Sequence, residues 1–226
     1  MGLKNRLLNL FFSKQCLVCG QEDTWLCRVC ENNLTTSLSH KYVAVSSLRI
    51  PQLNSVLVAG YYSSSDKTLA ILIKNFKYRF IKELGPSLAR VLLNEKIKQQ
   101  LKVIFEKGES DKNWLIIPIP LTQSRQRWRG FNQSEILAKE IAAALKISLN
   151  LELKRHGRRQ AQAKLKAAKR YRNVQKTFIW KGKYLKNTNI ILIDDVVTTG
   201  ATLNQAALTL KQAGARTVHG LVLAKG

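Results

Sequence analysis

Two adjacent acids, Asp194 and Asp195, precede a short loop rich in hydroxyl groups. The loop residues are Thr198, Thr199, Gly200, Ala201 and Thr202. Carboxylates accept hydrogen bonds from vicinal hydroxyls or help to hold Mg²⁺. Hydroxyls and backbone N–H groups ahead of a helix favour a phosphate. The spacing therefore predicts a site for a sugar that carries both a phosphate and two free hydroxyl groups.

The residues around this motif predict the strand and the helix that position it. Ile190–Ile193 are four apolar residues in a row, which is typical of a buried parallel strand. An amphipathic pattern after Thr202 predicts a helix. Ligands of open α/β sheets bind beyond the carboxyl ends of the strands, where this loop lies. Gly200 has no Cβ, so a phosphate can approach the backbone closely.

The strand, the acid pair and the threonine-rich loop together resemble the binding signature of type I phosphoribosyltransferases. These enzymes use phosphoribosyl pyrophosphate (PRPP). The resemblance implies an α/β fold with an open, mostly parallel sheet flanked by helices. It also implies that Asp194 and Asp195 take the ribose hydroxyls, that residues 198–202 cradle the 5′-phosphate, and that Mg²⁺ accompanies PRPP. Both acids are accordingly candidate catalytic residues.

A second strand and loop are predicted to reach the same edge of the sheet. The strand is Trp114–Pro120, and its two prolines stop strand pairing at its end. Asn132 and Glu135 resemble a capping box that opens a helix over 135–145. The intervening loop carries Arg125, Arg127 and Arg129. Guanidinium groups bind pyrophosphate bidentately, so these arginines are candidates for that role, with Arg125 and Arg129 as catalytic candidates; a solvated basic loop is the alternative.

All four cysteines of the chain lie in two Cys-x₂-Cys pairs separated by seven residues. They are Cys16, Cys19, Cys27 and Cys30. Four thiolates complete the tetrahedral shell that Zn²⁺ prefers and leave no open position, so the predicted zinc site is structural. Two disulfides are the alternative, which a reducing compartment disfavours. We predict a zinc-binding module over 1–38 and a phosphoribosyltransferase-like domain over 39–226.

The net charge of +24 suggests a polyanionic partner such as nucleic acid or a phosphorylated metabolite. Residues 153–193 hold thirteen Lys or Arg and no acid. This segment is predicted to be a loop that closes over PRPP, a groove for single-stranded DNA with Tyr171, Phe178, Trp180 and Tyr184 stacking on bases, or a solvated surface. The nucleic-acid candidates are Lys74, Lys77, Arg155, Lys164, Lys166, Lys169 and Arg170.

Motifs along nearly the whole chain are similar to those of the ComF family. They are Pro118-Ile-Pro120 with Arg129-Gly-Phe-Asn-Gln133, Lys74-x₂-Lys77-Tyr78, the pattern from Arg155 to Phe178, and the cysteine pairs. ComF proteins are phosphoribosyltransferase-like and are linked to DNA uptake in naturally competent bacteria. The resemblance implies a PRPP-binding protein that acts in natural transformation, alongside other competence proteins.

Three alternatives to this function remain open at the level of the sequence. One is a metabolic phosphoribosyltransferase that transfers ribose 5-phosphate to a base or an amine. Another is a non-catalytic module that binds single-stranded DNA, and the third is an adaptor that docks a partner through the zinc knuckle. No residue is an obvious general base.

The lengths of the hydrophobic segments predict the cellular compartment. No stretch has the length of a membrane span, and the apolar run over 7–12 is too short for a signal peptide. We therefore expect a cytoplasmic protein. The basic stretch Lys96–Lys112 has no predicted role.

Overall fold

The computed structural model describes residues 14–39, 50–62, 67–107, 113–155 and 177–226. Its strands are β1 (Ser55–Tyr61), β2 (Trp114–Pro118), β3 (Ser148–Leu149), β4 (Leu153–Arg155), β5 (Phe178–Trp180), β6 (Thr188–Val197) and β7 (Ala215–Lys225). Its helices are α1 (Arg28–Ser39), α2 (Thr68–Tyr78), α3 (Leu84–Leu92), α4 (Glu95–Lys107), α5 (Gln123–Arg129), α6 (Gln133–Leu145) and α7 (Ala201–Gln212). In these ranges no helix combines the length and the hydrophobicity needed to cross a bilayer.

A parallel sheet in the order β1-β7-β6-β2-β3 forms the centre of the molecule. The predicted mostly parallel sheet is therefore confirmed, and β4 and β5 form a separate antiparallel pair. Ile190–Ile193 are fully buried in β6, as the uninterrupted apolar run predicts. The strand was predicted to end before the acids, but it continues through them to Val197 because Asp194 and Val196 still pair with β7.

Helices cover both faces of this sheet. One face packs against α2, α3, α4 and α6, in a core that contains Phe76 and Leu88. The other face packs against α7 and the β4–β5 pair, in a core that contains Leu203 and Phe178. Phe178 is fully buried there, so the prediction that it stacks on a base is wrong.

The cysteine-bearing segment shares its core with the rest of the chain. Cys16, Cys27 and Leu34 belong to the same buried cluster as the helices on that face of the sheet. Arg90 of α3 donates two hydrogen bonds to the buried Glu31 of α1, with N···O distances of 2.5 and 2.8 Å. Burial alone would raise the pKa of Glu31, but the hydrogen bonds from Arg90 and Ser87 outweigh it and hold that pKa below its ordinary value. The ion pair therefore fastens α1 to α3.

The basic stretch that follows α3 is a helix of its own rather than a loose continuation. Asn94 separates α3 from α4, and its side chain accepts a hydrogen bond from the backbone N–H of Ile97 at 3.0 Å. Ile97 and Leu101 then pack into the core, so α4 is amphipathic in spite of its lysines. The remainder of the stretch, residues 108–112, lies outside the described residues.

The arginine-bearing segment was predicted to be a loop, but most of it forms α5. Thr122 caps this helix by accepting a hydrogen bond from the backbone N–H of Arg125, and Gly130 ends it with a φ of 71°. None of its residues is buried, so no apolar periodicity marks it in the sequence. The predicted Asn132 cap of the next helix is confirmed, since Asn132 accepts from the N–H of Ser134 at 3.2 Å. The helix begins at Gln133 rather than at 135, and Glu135 pairs with Lys139 at 2.8 Å.

Candidate functional site

The acid pair lies near the C-terminal end of β6. A different part of the chain contacts each acid. One oxygen of Asp194, Oδ1, accepts hydrogen bonds from the Ser134 hydroxyl at 3.0 Å and from the backbone N–H of Asp195 at 2.9 Å. Ser134 belongs to the first turn of α6, where the Asn132 cap fixes the backbone. The start of α6 therefore sets the orientation of the Asp194 carboxylate.

A lysine from α2 completes the surroundings of the acids. The Lys77 ammonium lies 2.8 Å from Oδ1 of Asp195, and the two side chains are only 15% and 11% exposed. By its charge, Lys77 is one of the predicted nucleic-acid candidates. The structure instead places it inside the site, paired with an acid, and Lys74 one turn earlier is the exposed lysine.

The electrostatic surroundings of Asp194 disfavour its ionised form. Burial first, and the neighbouring Asp195 carboxylate second, raise the pKa of Asp194 to about 7. The hydrogen bonds from the Asp195 N–H and from Ser134, together with the charge of Lys77, act in the opposite direction but do not cancel these effects. Near neutral pH, Asp194 is therefore poised between its neutral and its ionised form.

The predicted phosphate loop lies where β6 ends and α7 begins. Gly200 adopts a φ of 80°, in the left-handed region that favours glycine, and it immediately precedes the first turn of α7. Thr198, Thr199 and Ala201 are exposed, whereas Thr202 is half-buried. All five predicted residues therefore surround the N-terminus of α7, where backbone N–H groups and the helix dipole favour an anion.

The three arginines of the second loop occupy different environments. Arg125 and Arg127 are exposed on α5. Arg129 is half-buried, donates to Oε1 of Gln133 at 3.1 Å, and lies over the rings of Tyr78 and Trp128, with its guanidinium carbon 5.5 and 5.8 Å from their centroids. The Nε atom of Arg129 and the Nε2 atom of Gln133 are buried without a hydrogen-bond partner. Two donor nitrogens therefore remain unsatisfied, one of them on Gln133, which directly precedes Ser134.

Trp128 contacts two further exposed aromatic side chains, and we call the three residues the aromatic patch: Tyr78, Phe80 and Trp128. Trp128 is 59% exposed and Tyr78 is 50% exposed. The ring of Trp128 lies 6.1 Å from that of Tyr78 and 5.7 Å from that of Phe80. Tyr78 directly follows Lys77 in α2, and the guanidinium of Arg129 lies over its ring. Large exposed aromatic groups of this kind mark binding surfaces.

The remaining nucleic-acid candidates do not join this site within the described residues. Arg155 on β4 lies over the ring of Phe178, at 5.2 Å from its centroid. It lines a cavity of about 630 Å³ between the β4–β5 pair and the starts of α5 and α6. Lys164, Lys166, Lys169, Arg170 and Tyr171 lie outside the described residues.

The four cysteines form a compact cluster at the N-terminal side of the described chain. Their Sγ atoms all lie within 4.8 Å of one another, and those of Cys19 and Cys27 are 3.7 Å apart. No disulfide links them. Tetrahedral zinc with Zn–S bonds of about 2.3 Å requires S···S separations of about 3.8 Å, so the cluster fits that ion. Burial alone would raise the pKa of Cys16, but hydrogen bonds from the backbone N–H groups of Cys27, Cys19 and Val18 bring it down to about 6.

Comparison with known proteins decides the family. Residues 132–226 match the phosphoribosyl transferase domain. Competence protein F of Haemophilus influenzae is 29% identical over 212 residues, which cover 90% of this chain and 81% of that protein. DNA utilization protein YhgH of Salmonella typhimurium is 31% identical over 160 residues, which cover 70% of this chain and 68% of that protein. The chain belongs to the ComF family. Competence protein ComFC of Bacillus subtilis is 37% identical over 120 residues, 52% of this chain and 46% of that protein.

Membership of the ComF family agrees with the architecture described above. The fold is that of a type I phosphoribosyltransferase with an N-terminal cysteine cluster, and the matched domain contains the acid pair, the phosphate loop and Ser134. Lys77 and Arg129 lie outside the matched range. This chain thus brings the Lys77 side chain to the acid pair from outside the matched range.

Sequence reasoning missed Ser134, Gln133 and the position of Lys77. The first two follow the Asn132 cap directly, and a cap places the next residues at the edge of the sheet. Lys77 lies four residues after the buried Ile73, so it shares the inward face of α2. This spacing was the available signal, but a lysine at the end of an apolar face is usually a surface residue.

Proposed function

We propose that this chain binds PRPP at the acid pair and acts as a ComF-type protein in DNA uptake during natural transformation. The observation that carries the proposal is the acid pair itself, held by Ser134 and Lys77 beside the helix N-terminus at Gly200. One part of this arrangement suits a ribose diol and the other suits its 5′-phosphate. The names of the relatives, which refer to competence and to DNA utilization, support the role in DNA uptake.

The proposed binding mode assigns each part of PRPP to residues of this chain. Asp194 and Asp195 accept hydrogen bonds from the ribose hydroxyls, and residues 198–202 hold the 5′-phosphate with hydroxyl and backbone N–H groups. Arg125 and Arg127 are exposed on α5 and can bind the pyrophosphate. The half-buried Arg129 adds positive charge. Bound Mg²⁺ would neutralise part of the pyrophosphate charge.

If the chain is a transferase, a base or an amine displaces pyrophosphate at C1′ of the ribose. The bond from C1′ to the pyrophosphate oxygen breaks, and pyrophosphate leaves with the electron pair. The bond from C1′ to the acceptor nitrogen forms, and the nitrogen releases its proton to solvent. Such a reaction depends on positioning and on the stabilisation of charge that develops on the ring and on the leaving group. The carboxylates and arginines supply both, so a metabolic phosphoribosyltransferase with a base or amine acceptor is compatible with the site.

We also propose that the cysteine cluster holds one structural zinc ion. The Sγ separations support this assignment, and the chain uses all four cysteines in the cluster, so no position is left for water or substrate. The ion would stabilise the segment that α1 and the Glu31–Arg90 pair fasten to the main core.

Titration calorimetry of PRPP, with and without Mg²⁺, tests the proposed binding. Wild type is expected to bind PRPP in an Mg²⁺-dependent manner, and the variant Asp194→Asn/Asp195→Asn is expected to lose at least about tenfold in affinity because the hydroxyls lose their charged acceptors. Lys74→Met is the control, since it removes a charge from an exposed position near the site. A folded wild-type protein that binds no PRPP would refute the proposal.

A second candidate function, binding of single-stranded DNA, is favoured by the aromatic patch. Base-binding proteins combine exposed aromatic rings with basic residues that follow the phosphates. Tyr78 and Trp128 are exposed beside Arg129, and Lys74, Arg79 and Lys82 are exposed on or after α2. We propose that any single-stranded DNA bound by this chain stacks on the aromatic patch rather than on the groove predicted around Phe178.

Paired tyrosine substitutions distinguish the two surfaces. Tyr78→Ala is expected to weaken binding of a thymidine oligonucleotide about tenfold, because stacking is worth roughly 1–3 kcal/mol per base. Tyr184→Ala is the matched control, since Tyr184 is 74% exposed and belongs to the alternative groove. Fluorescence anisotropy at several salt concentrations provides the affinities. A larger loss of affinity in Tyr184→Ala would place the DNA in the alternative groove. If both variants bind the oligonucleotide as tightly as wild type, the DNA stacks on neither ring.

A further inference from the structure

The hydrogen bonds of Asp194 and the ion pair of Asp195 each engage one carboxylate oxygen. Oδ1 of Asp194 is taken by Ser134 and by the backbone N–H of Asp195, and Oδ1 of Asp195 is taken by Lys77. Among the described residues, no donor reaches Oδ2 of either acid. One oxygen of each acid is therefore fixed by the protein, and the other can accept a hydroxyl from a ligand.

Lys77 cannot be a mobile surface lysine that happens to face the site. It follows the buried residues Ile73 and Phe76 on the inward face of α2. The ring of Phe76 lies 5.7 Å from that of Phe131, a contact that holds this end of α2 near the start of α6. A lysine that is 85% shielded from solvent requires a counter-charge, and Asp195 supplies it.

The charge of Lys77 changes what the acid pair can bind. Two ionised carboxylates without a counter-charge would repel a phosphorylated ligand and would suit a hard divalent cation, which prefers carboxylate oxygens. The Lys77 ammonium removes one unit of that negative charge and occupies one of the four carboxylate oxygens. What remains is a pair of oriented acceptors with a reduced charge, which suits the neutral hydroxyls of an anionic sugar phosphate.

We propose that Lys77 is a positioning residue that aims Asp195 and selects a sugar diol over a free divalent cation at the acid pair. This inference rests on the proposed function, because it concerns how the same site recognises the ribose of its ligand. Lys77 orients the carboxylate of Asp195, as Ser134 orients that of Asp194. It reaches the site from α2, outside the matched phosphoribosyltransferase domain.

The test measures binding of two simple probes, ribose 5-phosphate and Mn²⁺ alone, to Lys77→Met, Lys77→Arg and Lys74→Met. Lys77→Met is expected to bind ribose 5-phosphate at least about tenfold more weakly, and Mn²⁺ at least about tenfold more tightly, than wild type. Lys77→Arg should retain more of the sugar affinity, because its charge can still meet Asp195. Lys74→Met loses the same charge from an exposed position of α2 and should differ from wild type by less than about twofold in sugar affinity.

The outcomes separate this inference from the proposed function. If wild type binds ribose 5-phosphate and Lys77→Met binds it equally well or more tightly, Lys77 does not position Asp195 and the inference is wrong, while the proposed function stands. If folded wild type binds neither ribose 5-phosphate nor PRPP, the proposed function fails, and the inference that rests on it fails with it. Electron paramagnetic resonance of Mn²⁺ supplies a readout that a purely structural ion pair would not change.

A double variant keeps the test decisive if Lys77→Met does not fold. Lys77→Met/Asp195→Asn removes both charges of the pair, so neither of the two is left buried without its partner. It should lose sugar affinity to the same extent as Asp195→Asn alone, because Lys77 acts through Asp195. Independent, additive losses from the two substitutions would overturn the proposal.

Discussion

Asp194→Asn should make the protein more stable above pH 7 while it weakens the binding of a ribose phosphate. The carboxylate is destabilised by burial and by Asp195, which together raise its pKa from the ordinary 3.8 to about 7. Asparagine has nearly the same shape and keeps an oxygen that can accept from Ser134. It removes the unfavourable charge but also removes one charged acceptor for a ribose hydroxyl.

The sign of this effect depends on pH. A carboxyl group whose pKa is higher in the native state contributes stability that is complete below the unfolded pKa of 3.8 and is lost as the pH rises towards about 7. Wild type therefore loses this contribution at neutral pH, whereas Asp194→Asn has no charge to lose. We expect a gain in the free energy of unfolding on the order of 2–4 kcal/mol near pH 8 and a much smaller difference near pH 4.

Denaturant unfolding at both pH values measures this difference, and Asp195→Asn is the matched control. That substitution is isosteric too, but it takes the charged partner from Lys77, so it should not stabilise the protein to the same extent. If Asp194→Asn lowers the free energy of unfolding above pH 7, the charge of Asp194 does not destabilise the native state. An equal increase in both variants would show that the effect is not specific to Asp194.

Cys27→Ser should release the zinc ion that we propose and should destabilise more than the N-terminal segment. Cys27 is buried, and its sulfur accepts a hydrogen bond from the backbone N–H of Cys30. Structural zinc contributes about 10–16 kcal/mol of binding free energy in small zinc-finger peptides, so its loss is expected to unfold the cluster. Because Cys16 and Cys27 share a core with Leu34 and the helices on that face, α1 should loosen from α3 as well.

Metal analysis and thermal unfolding provide the measurement for Cys27→Ser. Wild type should carry about one zinc per chain and should melt at a lower temperature after chelation, whereas Cys27→Ser should carry none. Val18→Ser changes an exposed residue of the same knuckle and should retain both the metal and the melting temperature. Zinc that remains at wild-type stoichiometry in Cys27→Ser would contradict four-cysteine coordination.

The features that the sequence predicts well are those with a local signal. The uninterrupted apolar run of Ile190–Ile193 determines a buried strand, and the order of parallel strand, loop and helix brings residues 198–202 to the sheet edge. The Asn132 cap is visible because Asn and Glu recur at fixed spacing before an apolar face. The cysteine spacing likewise predicts a cluster, since only four such residues exist.

The features that the sequence does not predict depend on contacts between distant segments. Lys77 and Asp195 are separated by more than a hundred residues, and nothing in either local pattern states that they pair. The exposed helix α5 has no apolar face, so its sequence predicts a loop instead of a helix. Basic residues surround Phe178 in the sequence and favour an exposed position, although its ring is buried in the core.

The measurement that tests the central claim most directly compares ribose 5-phosphate with 2-deoxyribose 5-phosphate as ligands of the wild-type protein. Both carry the same phosphate, so they differ only in one hydroxyl that the acid pair is proposed to accept. We expect the deoxy sugar to bind at least about tenfold more weakly, since one oriented carboxylate oxygen then loses its hydrogen bond. Equal affinity for the two sugars would contradict the assignment of Asp194 and Asp195 to the ribose hydroxyls.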